Sequence, residues 1–208
     1  MTDSYRVRAR HERFRGRVFT VYTDEVAMPG GGYADRDYAV HVGAVAVAAV
    51  DDDDRLVLVR QYRHPVGRDM CELPAGLIDQ EGEELPHAAA RELAEEADLT
   101  ARHWHLLLDL HSSPGFSNEV VRIFLARGLA EVAEADRHER EHEEAGLVSG
   151  RVPLDEAVAM VLRGEITNGI AVAGVLAAAR LRDTGWPAPV RPLDDGLPRL
   201  PQAEVAGS

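Results

Sequence analysis

The chain is poor in cysteine, in basic residues and in long apolar runs, and each shortage excludes something. Its single cysteine, Cys71, rules out an intramolecular disulfide and suits a reducing compartment. No uninterrupted apolar run approaches the ~20 residues that a membrane-spanning helix needs. The start, Met1-Thr-Asp-Ser-Tyr-Arg, has no apolar signal core, so a cytoplasmic protein without membrane contact is expected. Lys and Arg number 23 against 36 Asp and Glu, a net charge of -13. That balance argues against a nucleic-acid backbone as partner, because phosphate binding is driven by neutralisation with Lys and Arg. An anionic substrate must then be met by a metal cation and a few local arginines. No internal repeat and no second catalytic domain is visible in the 208 residues, a length that suits one domain with a sizeable core and short appendages.

The stretch from Glu72 to Leu99 organises the rest. A Pro/Gly-rich bend leads into a segment, Glu84 to Leu99, without glycine and with its one proline, Pro86, near the start, where a first-turn proline is tolerated. At about 100° per residue, Ala89, Ala90, Leu93, Ala94 and Ala97 share one side of this helix, which should pack on a sheet. Glu92, Glu95 and Glu96 are expected to fan out together on the other side. Three carboxylates so close repel one another, and a hard divalent ion with oxygen ligands removes the conflict. A solvated acidic helix face is the alternative that this spacing alone leaves open.

Elsewhere, Tyr5 to Met28 carries two β-like runs with a break near Gly16, and Tyr33 to Val40 resumes extended character after the Pro29-Gly30-Gly31-Gly32 turn. This unit is too short of apolar residues to stand alone. Gly43 to Val50 and Leu56 to Val59 read as strands buried on both faces. Asp51 to Asp54 reads as a solvated hairpin turn between them. His105–Leu110 and Val120–Ala126 read as strands around the Ser112-Ser113-Pro114-Gly115 turn. Glu131 to Glu144 reads as a charged loop with at most a helical turn. A last strand over Leu147–Val152 and amphipathic helices over Leu154–Leu162 and Ile170–Leu181 follow. The Pro-rich tail from Gly185 is expected to be extended or disordered. The order of elements predicts an α+β protein, an α/β/α sandwich. The expected divisions are an N-terminal β-unit (1–41), a catalytic domain (42–183) and the tail (184–208).

The central stretch closely resembles the signature of the Nudix hydrolases. The matching positions are Gly76, Glu83, Arg91, Glu92, Leu93, Glu95, Glu96 and Leu99. Two positions depart from it. One extra residue lies between Gly76 and Glu83, in a loop that absorbs length changes. Asp98 stands where the family usually has Gly, at a helix end where Asp tolerates the left-handed backbone. Neither departure removes a carboxylate. The resemblance implies the Nudix fold, with a mixed central sheet, the N-terminal β-unit and C-terminal helices. It also implies hydrolysis of a nucleoside diphosphate, a small-molecule substrate. Mg²⁺ or Mn²⁺ is the implied cofactor, held by Glu92, Glu96, the backbone carbonyl of Ala75, and Glu95 directly or through water. Gly76, Glu83 and Arg91 take structural roles within the motif.

Pro114, fifteen residues past Leu99, matches the proline that marks the ADP-ribose pyrophosphatases of the family. Met28-Pro29-Gly30-Gly31-Gly32, Gln61-Tyr62-Arg63-His64, Pro114-Gly115-Phe116-Ser117 and Gly164-Glu165-Ile166 with Asn168 resemble the actinobacterial members of that group. On this resemblance Arg63 is the candidate phosphate contact, Arg36 contacts the nucleoside or terminal ribose, and Glu119 contacts ribose or water. Glu144, then Glu143, are candidates for the general base, with Glu95 as a further catalytic carboxylate. His138 and His142 lack further ligands at zinc spacing. The group's N-terminal unit is exchanged across a homodimer, which the resemblance implies here too. Competing readings are the same chemistry on other nucleoside diphosphate sugars or dinucleotides, and an ADP-ribose sensor that does not cut. Sensors of that kind usually lose signature carboxylates and carry a DNA-binding module, and neither feature is visible here.

Overall fold

The computed structural model describes residues 5–138, 146–186 and 191–197. Among them, residues of 5–43 and 111–120 form one compact unit, and those of 44–110 and 121–197 a second.

The first unit is built on an antiparallel sheet of β1 (Val7–Arg15), β2 (Phe19–Ala27) and β3 (Tyr33–His41), in that order. The β2–β3 turn needs glycine, since Gly31 and Gly32 both lie at positive φ. Where apolar residues are scarce, charge pairing holds the strands. Buried Asp24 accepts a fork from Arg10 at 2.8 and 2.8 Å and a hydrogen bond from the Tyr38 hydroxyl at 3.1 Å. Burial alone would push the Asp24 carboxyl up, but these donors outweigh it and hold it below its ordinary value. The Tyr38 phenol is pushed up to about 12, by burial first and by Asp24 second. The 113–119 turn closes onto the end of β3. Phe116 O accepts from Ala39 N–H at 2.7 Å, and Asn118 returns a hydrogen bond to Ala39 O at 3.1 Å.

In the second unit, β4 (Ala44–Ala49) is buried along its whole length, as its unbroken apolar sequence requires. It pairs in parallel with β9 (Val120–Glu131) and antiparallel with the short β7 (Ala75–Leu77). With β8 (Leu99–His111) they make a mixed sheet of order β7-β4-β9-β8. Helix α1 (Leu85–Ala97) covers one face over Val45, Val47, Ala49 and Phe124. On the other face, Ala44, Ala46, Ala48 and Val50 pack with α2 (Leu154–Leu162) and α3 (Gly169–Asp183). A second sheet, β10 (Val148–Pro153), β5 (Arg55–Arg63) and β6 (Arg68–Glu72), adds Leu56 and Leu58 to the same core. Two helical layers around a mixed sheet are the expected α/β/α arrangement. Asn168 caps α3 by accepting from Ala171 N–H at 3.0 Å. Among the described residues no helix is long and apolar enough to cross a membrane.

The Asp51–Asp54 turn lies where the sequence places it, closed by an antiparallel Val50–Leu56 bridge and with Asp52 and Asp53 exposed. It joins strands of two different sheets, and Asp51 is buried rather than solvated. Its carboxylate accepts from the Asp53 and Arg55 backbone N–H groups at 3.0 and 2.9 Å and pairs with the Arg55 side chain at 2.9 Å. The 191–197 segment, read as extended or disordered, is anchored. Arg191 Nη2 lies 2.7 Å from Asp109, and Leu193 packs beside the α1 core.

Candidate active site

Helix α1 begins at Leu85 with proline in its first turn and ends at Asp98, whose backbone is left-handed at φ 55° and whose N–H returns to Ala94 and Leu93. Asp98 thus does the work of a glycine at that end. The helix buries Ala88, Ala89, Leu93 and Ala97, but also Glu92 and Glu96. Of the three carboxylates expected together away from the alanine face, Glu92 and Glu96 turn in against β7, where the backbone accommodates them.

Two features of β7 make room. Ala75 N–H donates to Glu96 Oε2 at 2.9 Å. A Cβ placed on Gly76 would stand 2.0 Å from Glu92 Cδ, so only glycine lets the Glu92 carboxylate sit where it does. Glu95 is half-buried on the same turn.

Arg91 ties this acidic turn to the loop before it. Its Nη1 lies 2.6 Å from Glu92 and 3.1 Å from Glu95, while Nε and Nη2 fork onto Glu83 at 3.0 and 3.0 Å. The Glu83 hydrogen bond raises the Arg91 pKa, and the same contact lowers that of Glu83. The one-residue insertion relative to the signature falls in the 77–83 segment, whose exposed turn at Asp79–Gly82 has Gly82 at positive φ. Extra length there displaces nothing.

Among the described residues, no group of three or more His, Cys, Asp and Glu side chains converges as a ready metal cage. The donor chemistry nonetheless suits a hard divalent ion: carboxylate oxygens from one helical turn, beside a strand whose residue 76 is kept bare by glycine. Arg91 holds two of these carboxylates in the arrangement described.

The remaining candidates divide between the two units. In the second, Arg63 ends β5 and forks onto Glu72, with Nη2 to Oε2 at 2.6 Å. In the first, Arg36 is exposed on β3, with Nη1 on Asp35 O at 2.8 Å and Nη2 3.4 Å from Met28 Sδ. Pro114 is exposed in the turn that closes on β3. Glu119 Oε1 lies 3.5 Å from His41 Nδ1. Glu143, Glu144 and His142 lie outside the described residues.

Sequence reasoning missed Glu72, a buried carboxylate paired with Arg63. The signal was available. An acidic residue directly before Leu-Pro-Ala-Gly, set opposite buried Val59, has to find a cation, and Arg63 stands on the adjoining strand.

The NUDIX domain model matches residues 40–171. ADP-ribose pyrophosphatase of Mycobacterium tuberculosis is 50% identical over 179 residues, 86% of this chain and 84% of its own length. The Bacillus subtilis ADP-ribose pyrophosphatase is 37% identical over 158 residues, 76% of this chain and 83% of that protein. A solved structure titled as an ADP compounds hydrolase superposes with a TM-score of 0.72 at 25% identity, covering 88% of this chain and 97% of its own.

Proposed function

The chain belongs to the Nudix hydrolase family, and on that premise we propose that it hydrolyses the diphosphate bond of ADP-ribose to AMP and ribose 5-phosphate. The likeness to the mycobacterial ADP-ribose pyrophosphatase, continuous over most of both chains, carries the choice of substrate.

In this reading Glu92, Glu96 and the Ala75 carbonyl hold Mg²⁺ or Mn²⁺, with Glu95 beside them. The ion, when bound, neutralises the diphosphate and stabilises charge on the departing phosphate oxygen. Arg63 grips a phosphate oxygen with its planar fork. Arg36 binds the nucleoside or terminal ribose, and Pro114 and Glu119 line that part of the site. Glu144, with Glu143 as alternate, takes the proton of the attacking water. Arg91 restrains the acidic turn through Glu83, so the carboxylates start close to their working geometry. The enzyme works in the cytoplasm as a homodimer that exchanges its N-terminal strands.

A panel of nucleoside diphosphate compounds, assayed with Mg²⁺ and with Mn²⁺ and read by chromatography, tests the substrate. ADP-ribose should be the preferred compound and should yield AMP. Preference for a different nucleoside diphosphate sugar or a dinucleotide would replace the reading within the same chemistry, and binding of ADP-ribose without turnover would make the protein a sensor.

A further inference from the structure

We propose that Glu72 is a positioning residue that fixes the aim of the Arg63 guanidinium at the diphosphate, an inference that rests on Arg63 being the phosphate contact. Arg63 and Glu72 are the last residues of β5 and β6, with Val59 rather than Arg63 directly opposite Glu72 in the register. Along β5, Val59, Gln61 and Arg63 share a face, and Gln61 and Val59 are buried. The Arg63 side chain therefore reaches back along the strand pair to its partner. Its Nε lies 3.0 and 3.2 Å from the two Glu72 oxygens and its Nη2 lies 2.6 Å from one of them.

The pair is asymmetric. The Glu72 side chain is 4% exposed, whereas that of Arg63 is 41% exposed. Burying a carboxylate so deep is costly unless a cation pairs with it. The buried partner is thus an anchor and the half-exposed partner is what it anchors. With the Nε edge committed, the guanidinium plane keeps one orientation, and less side-chain freedom is lost when an anion arrives.

The anchor is also continuous with the acidic turn. Three residues beyond Glu72, Ala75 N–H holds Glu96, and at the next position Gly76 makes room for Glu92. Five consecutive residues, Glu72 to Gly76, link the arginine to the helix that carries the carboxylates. Neither Leu73 nor Pro74 can slacken that link, since both are buried and Pro74 O accepts from Val47 N–H at 2.8 Å.

A double-mutant cycle tests the assignment. kcat and KM for ADP-ribose, the Kd of its non-hydrolysable α,β-methylene analogue and the melting temperature are measured for wild type, Glu72→Gln, Arg63→Gln and the double variant. Glu72→Gln should raise KM and Kd about tenfold while kcat changes little, the size expected for losing a charge-assisted fork. In the Arg63→Gln background the same change should add nothing. Effects on KM that multiply across the two sites, or a lowered melting temperature with KM unchanged in Glu72→Gln, would overturn the positioning role. An unchanged KM and Kd in Arg63→Gln alone would instead remove the phosphate contact itself, and this proposal with it. Should Glu72→Gln not fold, Glu72→Asp, which keeps the charge but shortens the reach, replaces it in the same cycle with the same readings.

Discussion

A single methyl group at position 76 separates what the fold needs from what the chemistry needs. The Cβ of Gly76→Ala would meet Glu92 Cδ at 2.0 Å, yet the carboxyl group it meets is the far end of a flexible side chain. The carboxylate can swing aside at small cost, so the melting temperature should fall by only a few degrees. Turnover should fall by roughly tenfold or more, because about 1 Å of misplacement can cost around a hundredfold. Loss of folding with no separable kinetic defect would show that Gly76 serves packing alone. Gly174 is the contrast: its Cβ would stand 2.5 Å from Leu73 Cδ1 inside the packed core. Gly174→Ala should therefore cost stability, about 1–3 kcal/mol in a urea titration, as overpacking does. Glu92→Gln should keep the fold and cut Mg²⁺-supported turnover by orders of magnitude. Full activity in that variant would remove Glu92 from metal binding.

Elements respond to pH through their buried pairs, and β8, β9 and the 191–197 segment meet in one of them. Arg122 of β9 is 1% exposed and forks onto Asp109 of β8 at 2.7 and 3.0 Å, while Arg191 reaches the same carboxylate. Arg122 also donates to Asp195 O and to Gly196 O. Burial would raise the Asp109 carboxyl, but the two arginines outweigh it and hold it below its ordinary value. A carboxyl depressed in the folded state stabilises the protein at pH above its unfolded value, ~3.9, and that stability is lost as pH falls through the folded value below it. Asp109→Asn should therefore be about 3 kcal/mol less stable than wild type at neutral pH, with the gap closing below about pH 4, in urea titrations across pH. A gap that does not change with pH would show that the charge of Asp109 is not what matters. The helical elements were legible because their cues are local: α2 begins and ends where Leu154–Leu162 was read, and α1 falls within one or two residues of its expected span. Strand β8 was read too short. The part before His105, Leu-Thr-Ala-Arg-His-Trp, has no regular apolar alternation, and it is defined by pairing with β9, which no local window contains.

At the scale of the molecule, composition and signature together pointed to the fold class and the chemistry, and distance in sequence hid the rest. The placement of Glu92 depends on a bare backbone at Gly76, sixteen residues before it, and that of Glu96 on the Ala75 N–H. The placement of the 191–197 segment depends on Arg122, far earlier in the chain. Contacts of this range leave no periodicity to read. Hydrolysis by this site turns on whether the acidic turn of α1 takes a divalent ion. Diffraction from crystals soaked in Mn²⁺ and the α,β-methylene analogue of ADP-ribose, recorded at the manganese edge, addresses this directly. The expected result is an anomalous peak bonded to Glu92, Glu96 and the Ala75 carbonyl, with the analogue's diphosphate beside it. Analogue bound with no peak there would contradict the metal assignment.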